Sequence, residues 1–156
     1  MLTQSIRKNS ALAALRRLCT LVGLVKEDEE RTQVAKQMDS LQIKASSMEE
    51  LVSHLSGGNQ QKVMLARWLM TKPRVLIIDE PTKGIDIGAR MSIYQIIHQL
   101  TEAGIGILML TSDMVELIGL PDRTLVFYEG KIVKELSRGE ITEERVMKAA
   151  SGMTEE

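Results

Sequence analysis

Two short stretches of the sequence carry residue types that could act on a phosphate ligand. The first is "LSGGNQQK", residues 55–62, in which Ser56 is an N-cap candidate and Gly57 and Gly58 occupy the first turn of a predicted helix. The backbone N–H groups of a helix start carry partial positive charge, and an acidic residue usually lies near them. Here amides and Lys62 follow instead. The stretch predicts an anion-binding helix end, and the alternative is a turn with two flexible glycines.

The second stretch is "VLIIDEPTKGID", residues 75–86, an apolar run that ends in Asp79 and Glu80. A short apolar run of this kind is typical of a buried parallel strand, and open α/β sheets bind ligands at the carboxyl ends of their strands. Asp79 would suit the coordination of Mg²⁺, directly or through water. Glu80 could act as a general base toward an attacking water. The alternative is that both carboxylates face solvent or cap a helix.

A third stretch, "ILMLTSD", residues 107–113, is a second predicted strand that ends in Thr111, Ser112 and Asp113. Parallel strands bring these side chains to the same sheet edge as the two carboxylates. Taken by themselves, the three residues are more typical of helix caps than of a site. The two histidines, His54 and His98, and the single cysteine are interpreted as structural or exposed residues.

The elements that must position these residues follow from hydrophobic periodicity. The first 50 or so residues predict helices, because apolar residues recur there at three- and four-residue steps, as in Leu12, Leu15, Leu18, Val22 and Val25. A capping box at Ser47–Glu50 predicts another short helix. A helix over "NQQKVMLARWLM" then ends at Pro73, and strands and helices alternate up to residue 120. Two strands turning at Glu129-Gly130 and a helix capped by Thr142 complete the chain.

This pattern predicts an α/β fold with a mostly parallel sheet and helices, preceded by a helical subdomain. We place the helical subdomain portion at residues 1–54 and the α/β core at residues 55–156. The composition fits a folded chain of ordinary domain size, with 156 residues, 44% hydrophobic and 26% charged. A net charge of −1 and 3% aromatic residues argue against nucleic-acid binding. No apolar run is long enough to span a bilayer.

Together the stretches resemble the nucleotide-binding domain of ATP-binding-cassette (ABC) proteins. Residues 55–61 look like the signature motif of that family, residues 75–80 like its Walker B strand, and "KGID", ending at Asp86, like its D-loop. Ser112 falls where the family usually has its switch histidine. The form "LSGGNQQKV…DEPTKGIDIGAR…SD" is similar to the second cassette of duplicated ATPase subunits of bacterial sugar importers, of the ribose, galactose and xylose type.

The resemblance implies a P-loop NTPase-like fold and two cassettes packed head to tail around ATP and Mg²⁺. The implied roles are nucleotide contact in trans for Ser56, Gly57, Gly58 and Gln60, metal binding for Asp79, catalysis for Glu80 and for Ser112 at the switch position, and coupling across the dimer for the D-loop residue Asp86. Serine has a shorter reach than histidine and cannot carry positive charge. We therefore expect slow hydrolysis, if any, at the site that contains Asp79 and Glu80.

No G-x-x-x-x-G-K-[ST] motif occurs in the 156 residues, so we expect an incomplete cassette that is inactive alone. The expected partners are a second cassette, membrane permease subunits and, indirectly, a periplasmic sugar-binding protein, with no nucleic acid. The expected location is the cytoplasmic face of the inner (plasma) membrane, through the permease. The alternatives are a soluble ABC ATPase and a non-catalytic half-cassette that only pairs with an intact one.

Overall fold

The computed structural model describes residues 2–20 and 22–153. The chain divides into two compact units, Met1–Met109 and Leu110–Glu156. The elements of the first unit are α1 (Ile6–Ala11), a 3₁₀ turn (Leu12–Ala14), α2 (Leu15–Leu18), α3 (Glu27–Ser40), a 3₁₀ turn (Val52–His54), α4 (Gly57–Leu69), β1 (Val75–Asp79), α5 (Ile87–Glu102) and β2 (Gly106–Leu110). Those of the second are α6 (Met114–Gly119), β3 (Arg123–Tyr128), β4 (Lys131–Ser137), a 3₁₀ turn (Arg138–Glu140) and α7 (Glu143–Ala150).

The core of the first unit lies where helices cover one face of a two-stranded sheet. β1 and β2 are parallel neighbours joined through α5, and the backbone N–H of Gly106 donates to the carbonyl of Arg74 at 3.0 Å. Alternate residues of β1 are buried, as period-two alternation requires. They join the buried faces of α4 and α5 in one hydrophobic cluster that includes Leu76, Ile78, Val63, Ala66, Ile93, Ile96 and Ile97. The predicted α/β class is confirmed.

Ion pairs join the helices that precede this sheet. The guanidinium of Arg7 on α1 contacts the carboxylate of Glu30 on α3 at 2.6 Å and that of Glu49 at 2.7 Å. Glu30 is buried, and the two carboxylates raise the pKa of Arg7 against the opposing effect of its partial burial. A buried carboxylate requires such a partner, so the pairing fixes how α1 and α3 meet.

Two predicted helical stretches are wrong. The chain leaves α2 at Leu18, and Cys19 pairs with Val25 in an isolated antiparallel bridge, which leaves Val22 81% exposed. The predicted capping box at Ser47–Glu50 opens no helix, because the Glu50 carboxylate accepts bonds from the N–H and hydroxyl of Ser46, both at 2.7 Å, and closes a turn. These bonds lower the pKa of Glu50.

The second unit is a β-hairpin covered by helices. β3 and β4 are antiparallel, and the turn between them is at Glu129-Gly130 with φ of 45° and 76°, as the sequence predicts. Positive φ at both central residues gives the twist that suits a two-residue hairpin turn. The Thr142 hydroxyl caps α7 by accepting from Arg145 N–H at 3.3 Å. The core of the unit consists of Val126, Leu136, Ile141 and Val146.

Candidate functional site

Ser56 is the N-cap residue of α4 by backbone geometry, with φ −59° and ψ 154°. Its side chain does not cap the helix, however, so that part of the prediction is wrong. The Ser56 hydroxyl instead accepts a bond from the side-chain amide of Asn59 at 3.1 Å, and the residue is exposed. The first turn of α4 contains no acidic residue. The helix start therefore presents a hydroxyl and backbone N–H groups without a carboxylate to neutralise them.

The two glycines have a packing role that the sequence did not reveal. A Cβ atom on Gly58 would lie 2.5 Å from the Cβ of Ala89 on α5, and one on Gly57 would lie 3.2 Å from Cγ2 of Ile85. Real Cβ contacts essentially never occur at 2.5 Å. Gly58 is therefore the residue that allows the start of α4 to approach the start of α5. The only sequence signal was the small residue pair Gly88-Ala89 after the D-loop stretch.

Side chains of the first turns of α4 hold the helix to its surroundings. The Gln60 side-chain amide donates to the carbonyl of Leu55 at 2.9 Å, and Oδ1 of the Asn59 side chain accepts from the backbone N–H of Lys44 at 2.9 Å. Both bonds hold the start of α4 in place. The bond to Leu55 also fixes the orientation of the Gln60 side chain, which we predicted to contact nucleotide.

Lys62 is buried one turn further along α4. Its ammonium donates to the carbonyl of Gln42 at 3.2 Å. Burial lowers the pKa of Lys62, and the positive charge of nearby Lys44 lowers it further. The cation that the sequence suggested as an extra attraction for an anion is thus engaged in holding α4 to the Gln42 turn.

The two carboxylates lie at the carboxyl end of β1, as predicted. Asp79 is exposed and Glu80 is half-buried, and Glu80 has a φ of 46°, which is uncommon for a residue with a side chain. A turn follows at once, with the carbonyl of Glu80 accepting from Lys83 N–H at 3.2 Å. The backbone thus bends sharply where the strand ends and leads into the D-loop stretch.

Asp86 begins α5. Its carboxylate accepts from the N–H of Ala89 at 2.9 Å, and its carbonyl accepts from Arg90 N–H at 3.0 Å. Asp86 is therefore a side-chain N-cap as well as the predicted D-loop residue. The structure brings the Ile85–Ala89 stretch against the glycines of α4, and a cleft of about 360 Å³ lined by Gly57, Gln60, Lys83 and Gly84 lies beside this contact.

The fit of Mg²⁺ can be judged from the donors at the end of β1. Among residues 2–20 and 22–153, no group of three or more His, Cys, Asp or Glu side chains could hold a metal ion. Mg²⁺ nevertheless commonly binds one or two carboxylates together with water and substrate phosphates. Asp79 alone, exposed at the strand end, fits such a shared site.

Ser112 lies in the second unit, where it is exposed between β2 and α6. The next residue, Asp113, caps α6 by accepting from Val115 N–H at 2.9 Å, and its own N–H donates to the Thr111 hydroxyl at 3.0 Å. The helix-cap interpretation of this stretch is confirmed for Asp113. The two bonds fix the backbone on both sides of Ser112.

The sequence profile of the family described as "ABC transporter" matches residues 1–83, more than half of the chain. The chain belongs to the ABC transporter family. The match contains the α4 start and both carboxylates of β1, so the family resemblance inferred from these motifs is confirmed.

Similar proteins in this ABC family include sugar-import subunits. The chain is 47% identical over 148 residues to the ribose import ATP-binding protein RbsA of Oceanobacillus iheyensis, covering 95% of this chain and 30% of that protein. It is 47% identical over 152 residues to the xylose import ATP-binding protein XylG of Moorella thermoacetica, with 97% and 30% covered. The chain thus spans about 30% of the length of these curated relatives.

A solved ABC structure shares the fold. The dimeric post-hydrolysis state of an ATP-binding cassette bound to ADP and Pi superposes with a TM-score of 0.71 at 21% identity, covering 88% of this chain and 57% of that one. This similarity supports the P-loop NTPase-like α/β class that the sequence predicted. Within the ranges 2–20 and 22–153, no helix is long and apolar enough to cross a bilayer.

Proposed function

We propose that this chain is part of the ATP-binding subunit of an ABC importer for a monosaccharide. The observation that carries the proposal is the start of α4, where exposed Ser56 precedes a first turn that opens with two glycines and contains no acidic residue. Such a helix end stabilises an anion. The relatives named for ribose and xylose import support the substrate class.

In this proposal, the anion is the terminal phosphate of an ATP held by a second cassette. Ser56, Gly57 and Gly58 would contact it through the hydroxyl and backbone N–H groups, and Gln60 would lie beside it. The side-chain bond from Asn59 supports this role, because it keeps the Ser56 oxygen away from the helix backbone and leaves the hydroxyl hydrogen able to donate outward. The dimeric cassette structure with ADP and Pi supports pairing of this kind.

The carboxylates at the end of β1 would serve a different nucleotide. Asp79 would provide an oxygen ligand to Mg²⁺, which would neutralise phosphate charge when bound. Glu80 would accept a proton from the attacking water. The turn after Glu80 fixes its backbone, so the carboxylate is positioned by the strand end and not by a flexible loop.

A further segment that carries a P-loop is required for this function. The outer face of the parallel pair exposes apolar side chains, with Val75 62%, Ile77 65% and Leu108 51% exposed. Parallel sheets are normally covered on both faces, and two strands are too few for a stable sheet. We propose that the P-loop segment of the same cassette extends this sheet and covers its outer face.

The proposed partners are a second cassette and the permease subunits, with a periplasmic sugar-binding protein acting through the permease. The permease would hold the subunit at the cytoplasmic face of the membrane. Ser112 favours a second candidate, in which the chain is the non-catalytic member of a cassette pair and contributes only the α4 start. Serine at that position cannot supply the positive charge of a histidine.

The test uses the subunit in which this chain is joined to a P-loop segment. We expect ATP turnover that falls by roughly 10²-fold or more in Glu80→Gln, the usual loss when a general base is removed. Glu102→Gln is the matched control, because Glu102 is an exposed glutamate at the end of α5. Equal turnover in Glu80→Gln and wild type would refute the catalytic role. ATP-dependent pairing with an intact cassette but no turnover of its own would favour the non-catalytic candidate.

A further inference from the structure

The contact between α4 and α5 depends on the absence of one methyl group. Gly58 is buried at the second position of α4, and a Cβ atom built on it lies 2.5 Å from Ala89 Cβ but 3.6 Å from Ala89 Cα. The clash is therefore with the side chain of Ala89 and not with its backbone. Since Ala89 has a single rigid methyl group, it cannot move aside by changing rotamer.

Backbone conformation does not explain this glycine. Neither Gly57 nor Gly58 has a positive φ, and both belong to a regular α-helix in which alanine is more favourable than glycine. Helix propensity alone therefore favours alanine at position 58. The steric requirement of the contact with α5 is what opposes it.

Ala89 also holds Asp86, the N-cap residue of α5. The backbone N–H of Ala89 donates to the Asp86 carboxylate at 2.9 Å. One residue thus contacts the α4 start through its methyl group and Asp86 through its amide. Ile85, on the other side of Asp86, lies against Gly57, so the Asp86 backbone is flanked by contacts with α4.

We propose that Ala89 is a positioning residue that couples the start of α4 to Asp86. A shift of the α4 start displaces the Ala89 methyl and with it the amide that holds the Asp86 carboxylate. This inference rests on the proposed function for its consequence, because the α4 start would contact a partner's nucleotide while Asp86 would lie at the D-loop. The physical contact itself requires no nucleotide.

The first test moves the methyl group of residue 89 to residue 58 in the full chain, which we call the methyl swap. The effects are measured by urea unfolding and by amide hydrogen exchange at residue 89. Gly58→Ala should lower the folded-to-unfolded ratio by about 5- to 150-fold, the range for overpacking a packed site, and should speed exchange of the Ala89 amide. The double variant Gly58→Ala with Ala89→Gly, which is the methyl swap, should restore most of the stability and most of the protection of the residue 89 amide. The atom nearest to the new methyl group is then the Cα of residue 89, at 3.6 Å.

Ala89→Gly alone completes the mutant cycle, and Gly119→Ala is the matched control. Gly119 is also helical, and a Cβ atom there meets nothing within 4 Å, so this variant should not lose stability. If Gly58→Ala unfolds the chain completely, recovery of a cooperative transition in the double variant still tests the contact. Additive effects of the two single changes would overturn the inference.

The second test measures ATP turnover in the subunit joined to its P-loop segment. Gly58→Ala should lower kcat about tenfold or more, a loss typical of misplaced groups, with less change in KM. The methyl swap should recover turnover, and assays without urea, at a temperature at which Gly58→Ala is still folded, separate a loss of kcat from a loss of stability. If the wild-type subunit shows no turnover, the catalytic part of the proposed function fails. The unfolding measurements on the two single variants and the double variant still show whether Gly58 and Ala89 interact. Rescue of stability without rescue of turnover would overturn the positioning role.

Discussion

At the residue scale, hydrogen bonds within the chain, one local and one between distant segments, set what the polar residues of the α4 start do. Ser56 has N-cap geometry, yet its hydroxyl bonds to Asn59 instead of to the helix backbone. Lys62 looks like a surface cation in the sequence, but it is buried against the carbonyl of Gln42. Both residues shape the α4 start, one by remaining exposed and the other by anchoring the helix.

Burial of Lys62 predicts a pH dependence of stability. Its pKa in the folded chain is below the model-compound value of 10.5, so between these two pH values the unfolded chain binds more protons. The free energy of unfolding should therefore rise with pH in that window from this residue. Lys62→Met should remove this rise, whereas Lys36→Met, on the exposed face of α3, should keep it. Urea unfolding from pH 7 to pH 10.5 measures the difference, and identical slopes in wild type and Lys62→Met would contradict it.

Ser112 carries a prediction about catalysis. Histidine has a longer reach than serine and can carry positive charge, so Ser112→His should increase ATP turnover in the subunit joined to a P-loop segment. The exposed position of Ser112 leaves room for the larger ring, and the Asp113 cap keeps the backbone fixed. Ser112→Asn, which lacks the charge, is the control. If Ser112→His does not increase ATP turnover, the serine is not the cause of slow hydrolysis.

At the element scale, the α4 start, the Glu80–Lys83 turn and the α5 start form the part of the structure that positions the site. The turn is closed by backbone bonds, α5 is capped by Asp86, and α4 lies against α5 through Gly58. Each element obeys a local rule, but their mutual contact depends on small residues at two positions that are 31 apart in the sequence, Gly58 and Ala89.

The β3–β4 hairpin allows a stability prediction of its own. Gly130 has a φ of 76° and open space around its Cα, so Gly130→Ala should cost about 1–2 kcal/mol through backbone strain alone. Gly139→Ala is the control, since that glycine also has open space but no positive φ. Urea unfolding with a probe in the second unit measures both variants. A Gly130→Ala variant as stable as wild type would show that the turn adopts another conformation.

At the scale of the whole molecule, the outer face of the parallel strand pair is apolar and exposed. Val75 and Ile77 have the exposure expected of surface side chains, whereas Leu76 and Ile78, which point to the opposite face of the strand, are buried. A strand that is apolar on both faces is typical of a sheet covered on both sides. The exposure of apolar side chains on the outer face supports the proposal that a P-loop segment lies on that face in the working cassette.

This arrangement predicts that the chain alone has no appreciable affinity for ATP. Both proposed nucleotide contacts are shared, since the α4 start would act on a partner's ATP and Asp79 would act with a P-loop. Isothermal calorimetry of the purified chain with ATP and Mg²⁺ should show no binding heat, and the same chain joined to a P-loop segment should bind. Submicromolar affinity of the chain alone would contradict the shared site.

The sequence by itself determined the features that depend on local rules. The strand over residues 75–79, the hairpin turn at Glu129-Gly130 and the Thr142 cap need only a few consecutive residues, so their patterns predicted them. The family followed from the order of such motifs. The Ser46–Glu50 turn was missed because the Glu50 carboxylate accepts two bonds from Ser46 and does not form the predicted capping box with Ser47.

Only the tertiary structure decided what the residues of "LSGGNQQK" do within the chain. Gly58 is small because Ala89 approaches it, and Lys62 is buried because the Gln42 carbonyl receives it. These contacts join segments distant in sequence, so no local pattern encodes them. Steric exclusion and burial are properties of the packed chain, and for that reason the motif was recognisable from sequence while its packing was not.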